Sequence, residues 1–245
     1  MKTIRVMAIA SGLCLLLVAG PAVAQKPAEP TDPFNPLSGR QACTAIPDNS
    51  YDGTVASMTC QTVAVATAGI VDDVNVVLGM NHTFVGDLTV KLVSPMGTVS
   101  TLLNRPGAAV ADDGTAPPFG FSANIVDTSP VTFDDSAAAS AEDMGSTLAS
   151  AQFVCQDDGI CNYFPFPETG PGTNLDDFDG EMAAGNWMVC VGDSAGADLG
   201  EICDNTDVQV TVVPGTPTLP WGGMIALVAL LGLISFFMLR RKATA

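Results

Sequence analysis

The chain of 245 residues contains one histidine, His82. A Ser-His-Asp hydrolase needs an imidazole as general base, so any such chemistry would rest on that side chain alone. Zinc is poorly served too, because no Cys-x-x-Cys pair accompanies the one imidazole. Basic charge is equally scarce, with 9 Lys and Arg against 26 Asp and Glu. Five of those nine bases sit in the hydrophobic ends. The body between them keeps only Lys26, Arg40, Lys91 and Arg105 against 26 acids, a net of −22. Such a surface repels phosphate backbones and argues against nucleic-acid binding. It would attract divalent cations or basic partners, and a high like charge also keeps an exported protein soluble. A long 3.6-residue periodicity is absent before the C-terminal tail. The alanine-rich run 136–151 is interrupted by Gly145 and has room for a short helix at most.

The ends carry targeting signals. Lys2 and Arg5 precede an apolar run through Leu17 and Val18, and Ala22 and Ala24 fit an A-x-A cleavage site. Residues 1–24 are therefore expected to be a signal peptide, and Cys14 is lost with it. Residues 25–44 hold Pro27, Pro30, Pro33 and Pro36 and read as a linker. At the other end, 221–239 are nineteen residues without charge, followed by the basic stop Arg240-Arg241-Lys242 in 240–245. At ~1.5 Å per residue this span covers roughly 28 Å, enough for one transmembrane helix with a cytoplasmic C-terminus. Thr216-Pro217-Thr218-Leu219, within the 214–220 linker, precedes Trp221-Gly222, the span and the basic end. That order resembles the IPTL-type sorting tails of exosortase-processed bacterial proteins, which are related to PEP-CTERM tails. The resemblance implies an exosortase-like processing enzyme as partner, with cleavage near Thr216–Leu219. The body would be inner-membrane anchored outside the cytoplasm, then transferred to the cell surface or released. A plain membrane anchor is the alternative.

Without Cys14, six cysteines remain: Cys43, Cys60, Cys155, Cys161, Cys190 and Cys203. An even count in an exported chain points to three disulfides, with fifteen connectivities open. Proximity in sequence favours Cys43–Cys60, Cys155–Cys161 and Cys190–Cys203. Strand alternation through Trp187, Val189 and Val191 turns Cys190 to the opposite face, within reach of a loop cysteine such as Cys203.

Residues 45–213, about 170, suffice for one domain. Alternating apolar positions recur at 62–66, 74–76, 88–92 and 208–212, the pattern of strands with one wet side. Ser94-Pro95-Met96-Gly97 reads as a tight turn between two of them. The expected fold class is all-β, a two-sheet sandwich.

The stretch from His82 to Thr98, HTFVGDLTVKLVSPMGT, resembles a signature of the P domain (Homo B domain) of subtilisin-like proprotein convertases. Thr132-Phe133-Asp134-Asp135 is similar to that family's TFDD element, and 174–180 to its L-x-x-F-x-G element. Gly185-Asn186-Trp187 with Val189, Val191 and Asp193 is similar to its G-x-W-x-L-x-V-x-D strand, and 200–212 fits the closing strand. The resemblance implies a jelly-roll-like β-sandwich that lacks its protease, since the one histidine belongs to this module. No catalytic residue is assigned. Five adjacent Asp pairs could supply the oxygens that calcium needs, and some P domains bind calcium. Asp87, Asp134, Asp135 and Asp193 match family motif positions and are the candidate ligands, with solvated loop acids as the ordinary alternative. The expected function is an exported non-catalytic binding or structural module at the cell envelope. The alternative is an accessory that docks on, and stabilises, a separately encoded subtilisin-like protease.

Overall fold

The computed structural model describes residues 42–213. Twelve strands follow in order: β1 (Cys43–Ile46), β2 (Thr59–Val65), β3 (Ile70–Leu78), β4 (Met80–His82), β5 (Leu88–Val93), β6 (Val99–Asn104), β7 (Val131–Phe133), β8 (Ala139–Ser140), β9 (Asn162–Phe164), β10 (Gly185–Asp193), β11 (Gly200–Cys203) and β12 (Asp207–Val213). Helix among the described residues is limited to short 3-10 turns. The run 136–151 forms β8 and one such turn, 141–143, rather than an α-helix.

The strands form three sheets, ordered β1-β11-β4, β2-β10-β5-β6 and β12-β3-β7-β9-β8. The alternating segments seen in sequence fall in β2, β3, β5 and β12, apart from Ala66, one residue past the end of β2. Their apolar positions meet in one cluster: Leu88, Val90 and Leu92 of β5 and Trp187, Val189 and Val191 of β10 join Val74, Val76 and Leu78 of β3. Burial of these side chains between the two larger sheets supplies the main driving force. Trp187 is completely buried, meets Phe178 edge-on at 5.2 Å between ring centroids, and donates from Nε1 to Ala183 O at 2.9 Å.

The third sheet is made by two strands that turn a corner. β3 passes into β4 through Gly79, and β11 passes into β12 through Asp204–Thr206, so each pair of segments serves two sheets. A Cβ on Gly79 would lie 1.8 Å from Asn205 Oδ1, so the two corners touch without room for a side chain. β1 pairs with β11 from Cys43 onward, which puts the start of the fold inside the stretch read as linker. Four residues bordering β11 carry too little alternation to announce a strand.

The disulfides correct two expected pairings. Cys43 is bonded to Cys203 and Cys60 to Cys190, while Cys155–Cys161 is as expected. Both long-range bonds join residues that face each other across antiparallel strands, Cys43 opposite Cys203 on β1–β11 and Cys60 opposite Cys190 on β2–β10. Alternation did turn Cys190 away from the Trp187 face. Its partner is set by strand register, which brings Cys60 directly opposite and leaves Cys203 in another sheet.

The expectation of one wet face fails for β5, which is buried along its whole length. Its outer face is covered by the 105–120 loop and Tyr51. Lys91 Nζ lies 2.8 Å from Asp112 Oδ2, donates to Gly53 O at 3.1 Å, and sits 5.3 Å from the centre of the Tyr51 ring. Tyr51 in turn donates its hydroxyl to Asp112 Oδ1, and burial beside that carboxylate pushes its phenol strongly upward. Arg105 crosses the same loop, donating to the carbonyls of Thr115 and Pro118. Both basic side chains of the described residues are therefore consumed inside the fold.

Signal peptide, sorting motif and C-terminal span lie outside the described residues. Among the described residues, no helix is long and apolar enough to cross a membrane.

Candidate functional site

His82 ends β4 and is held on all sides. Its Nδ1 lies 3.1 Å from the Phe84 backbone N, which donates to it, and 3.0 Å from Phe84 O. Its Nε2 lies 3.3 Å from Asp193 Oδ2, and both side chains are almost wholly buried. The ring packs against Gly200 on the paired strand, where a Cβ would come within 2.2 Å of Cδ2. Asp193 is equally engaged: Oδ1 accepts from Ala195 N at 3.0 Å, and its carbonyl accepts from Ser50 and Tyr51. The His-Asp pair thus has the partners of a catalytic dyad but neither a free ring nitrogen nor solvent access. It fastens β4 to the end of β10.

Asp87 lies beside this pair. Its carbonyl accepts from Ser194 N, while its Oδ1 is buried without a hydrogen-bond partner. Burial, reinforced by the negative charges of Asp193 and Asp198, raises its pKa to about 6, with His82 and Arg105 opposing.

Asp134 and Asp135 stand elsewhere, after β7. Asp135 accepts from Leu175 N at 3.1 Å and from Asp176 N at 3.0 Å, so it holds the first turn of the 175–178 3-10 segment. The TFDD and L-x-x-F-x-G elements are thereby one device: Phe133 and Phe178 enter the core, and Asp135 clamps the two segments together. Asp134 Oδ1 accepts from Ser136 N in a local turn. Asp135 is pushed up by burial and by Asp176 and Asp73, whereas Asp87 answers to Asp193 and Asp198. No three of the four expected ligands bring their carboxylate oxygens within 4.8 Å of one another, short of the six to eight oxygens calcium takes. Among the described residues, three potential ligands converge only at Cys43, Asp127 and Cys203. The two cysteines there are joined to each other, so neither offers a thiolate.

The sequence offered no sign of a groove of about 500 Å³ that opens along 164–168. Its floor is Phe164-Pro165-Phe166-Pro167, and Asp135 and Glu168 contribute carboxylates. This stretch leaves the five-stranded sheet at the end of β9 and reaches the other large sheet at once, with Phe166 N donating to Leu102 O at 3.1 Å. The groove thus follows a seam between sheets. Only the Phe-Pro repetition could have hinted at it, and that pattern reads equally well as loop.

Comparison with known proteins falls on the His82 region. Residues 71–129 match the proprotein convertase P-domain. The P-domain segment runs from β3 through β6 and includes His82 and Asp87, as the sequence resemblance required. The other quoted elements, from Thr132 onward, lie beyond it. No curated protein matches. Among solved structures, the serine protease of Aeromonas sobria is similar at 20% identity and a TM-score of 0.35, over 68% of this chain and 24% of that one. The same protease in complex with a chaperone is similar at 19% identity and a TM-score of 0.30, over 70% and 22%. The chain spans about a quarter of the length of these solved chains.

Proposed function

We propose that this chain is an exported, non-catalytic P-domain module, jelly-roll-like in its strand path, that acts by binding. The observation that carries this reading is the state of His82. The one imidazole of the chain is spent on Asp193 and the Phe84 backbone, packed on Gly200 and shut away from solvent. A general base must reach its nucleophile within hydrogen-bond distance, and among the described residues no serine hydroxyl is bonded to this ring. Three disulfides favour an oxidising, extracytoplasmic setting. Signal peptide 1–24, body 45–213 and the tail from Thr216 then form an export and envelope-sorting route.

A second reading has one feature in its favour. Met96, Met182 and Val213 are exposed at 65%, 51% and 44%, and the contacts around them converge. Ile70 pairs with both Val213 and Met182, while Thr98 bonds to Glu181. This apolar end would suit docking on a separately encoded subtilisin-like protease. The test is to expose the purified chain to a fluorophosphonate probe, alongside His82→Gln. No labelling of either is expected. Covalent labelling that depends on His82 would overturn the non-catalytic reading. Co-elution with a subtilisin-like protease, lost on Met96→Glu/Met182→Glu, would select the second reading.

A further inference from the structure

We propose that the groove along 164–168 receives an extended peptide whose arginines or lysines are separated by apolar residues. The inference rests on the binding-module reading and assigns that module a ligand class. Its floor is apolar, with half-buried Phe164 and Phe166 between Pro165 and Pro167. The same lining carries negative charge. Its acidic residues are Asp135 and Glu168.

Among the described residues no cationic side chain pairs with Glu168 or Asp135, and Asp135 is held only by the backbone N–H groups of Leu175 and Asp176. The described residues hold two cationic side chains, Lys91 and Arg105, and both are buried and bonded inside the fold. An incoming cation therefore meets neither a resident counter-ion nor a repelling neighbour. Two proline residues on the floor need no N–H partner, so the wall can lie against an extended chain without leaving donors unmatched. Cations for Asp135 and Glu168 together with apolar side chains for the Phe-Pro stretch match this lining, whereas a purely cationic partner would leave the aromatic rings uncovered.

The test uses the full chain in detergent micelles at 0.15 M salt and reads fluorescence anisotropy. The probe is a labelled heptapeptide of three arginines separated by Leu-Pro pairs. Its comparators carry glutamate for arginine, or Gly-Ser for Leu-Pro. Glu168→Lys reverses an exposed charge at the groove, and Asp204→Lys makes the same change on the turn after β11. At this salt the Debye length is about 8 Å, so a distant charge is screened. We expect Glu168→Lys to weaken binding at least tenfold, Asp204→Lys less than twofold, and the Gly-Ser peptide to bind at least tenfold more weakly. Equal weakening by the two variants would reduce the effect to diffuse attraction and overturn the proposal. So would equal affinity for the Gly-Ser peptide, or no preference over the glutamate peptide. Binding that appears only after Lys26→Gln and Arg40→Gln would give the groove to the chain's own 25–41 stretch and also overturn it. Thermal melts of both variants verify that they fold. Peptide failure without fluorophosphonate labelling leaves the non-catalytic reading standing, and labelling removes that reading whatever the peptide does.

Discussion

Replacing Asp87 by Asn should stabilise the protein, and more so at higher pH. The carboxylate is buried, one oxygen has no partner, and Asp193 and Asp198 add negative potential. Its pKa rises from 3.8 to about 6 on folding. The folded state therefore keeps a proton over a range where the unfolded chain has released it. The associated stability is fully present below pH 3.8 and is lost as pH climbs through 6. A shift of about two pH units at about 1.4 kcal/mol each makes the penalty about 3 kcal/mol at pH 7.5, and roughly half of that at pH 5. Asn has the shape of the protonated acid and removes the charge. Urea unfolding of wild type and Asp87→Asn at pH 5 and 7.5 measures the difference directly. Other carboxyls raised by burial, such as Asp135 and Glu142, titrate in both proteins and cancel in the comparison. A variant gain that is the same at the two pH values would show that Asp87 titrates as it does in the unfolded chain. A loss of stability would show that its ionised form makes a favourable contact in the fold. Either result would refute the reasoning.

Two further perturbations test the core and the crosslinks. Trp187→Ala removes the largest fully buried side chain, its contact with Phe178 and its bond to Ala183; a loss of about 3–5 kcal/mol is expected in chemical denaturation, and less than 1 would mean that the core collapses around the gap. Removing Cys60–Cys190 should cost about 4 kcal/mol by loop entropy, because the intact Cys43–Cys203 bond shortens the loop it closes to about 30 residues, against about 2 for Cys155–Cys161 with its separation of 6; paired Cys→Ser variants compared by urea midpoint test that order, and the reverse order would reject the entropic account.

Several features of this protein were already determined by the sequence, because they depend on neighbours along the chain. Alternation at 62–66, 74–76, 88–92 and 208–212 marked real strands, since a pleated backbone turns successive side chains to opposite faces whatever lies across the sheet. The same rule placed Trp187, Val189 and Val191 together in the core. Ser94 to Gly97 made the expected turn, with Gly97 N donating to Ser94 O. The P-domain resemblance was legible for a similar reason, as runs such as His82 to Thr98 encode local turns and strand faces.

Tertiary structure decided whatever needed two distant segments to meet. Cys203 is nearer Cys190 in sequence than Cys43 is to Cys203, yet register across β1–β11 and β2–β10 selected the long pairings. Asp134 and Asp135 could not be separated from Asp87 and Asp193 as ligands by inspection of the sequence. The fold spent Asp135 on the backbone of 175–176 and Asp193 on His82. β5 reads as half-exposed until Lys91 finds Asp112 and Tyr51 closes over it. The Phe-Pro groove exists only because one stretch crosses from β9 to the edge of β6. Side-chain periodicity is a property of a few covalently linked residues, whereas register, ion pairing and cavities arise from the closure of long loops, and no local pattern records which of many closures has the lowest free energy.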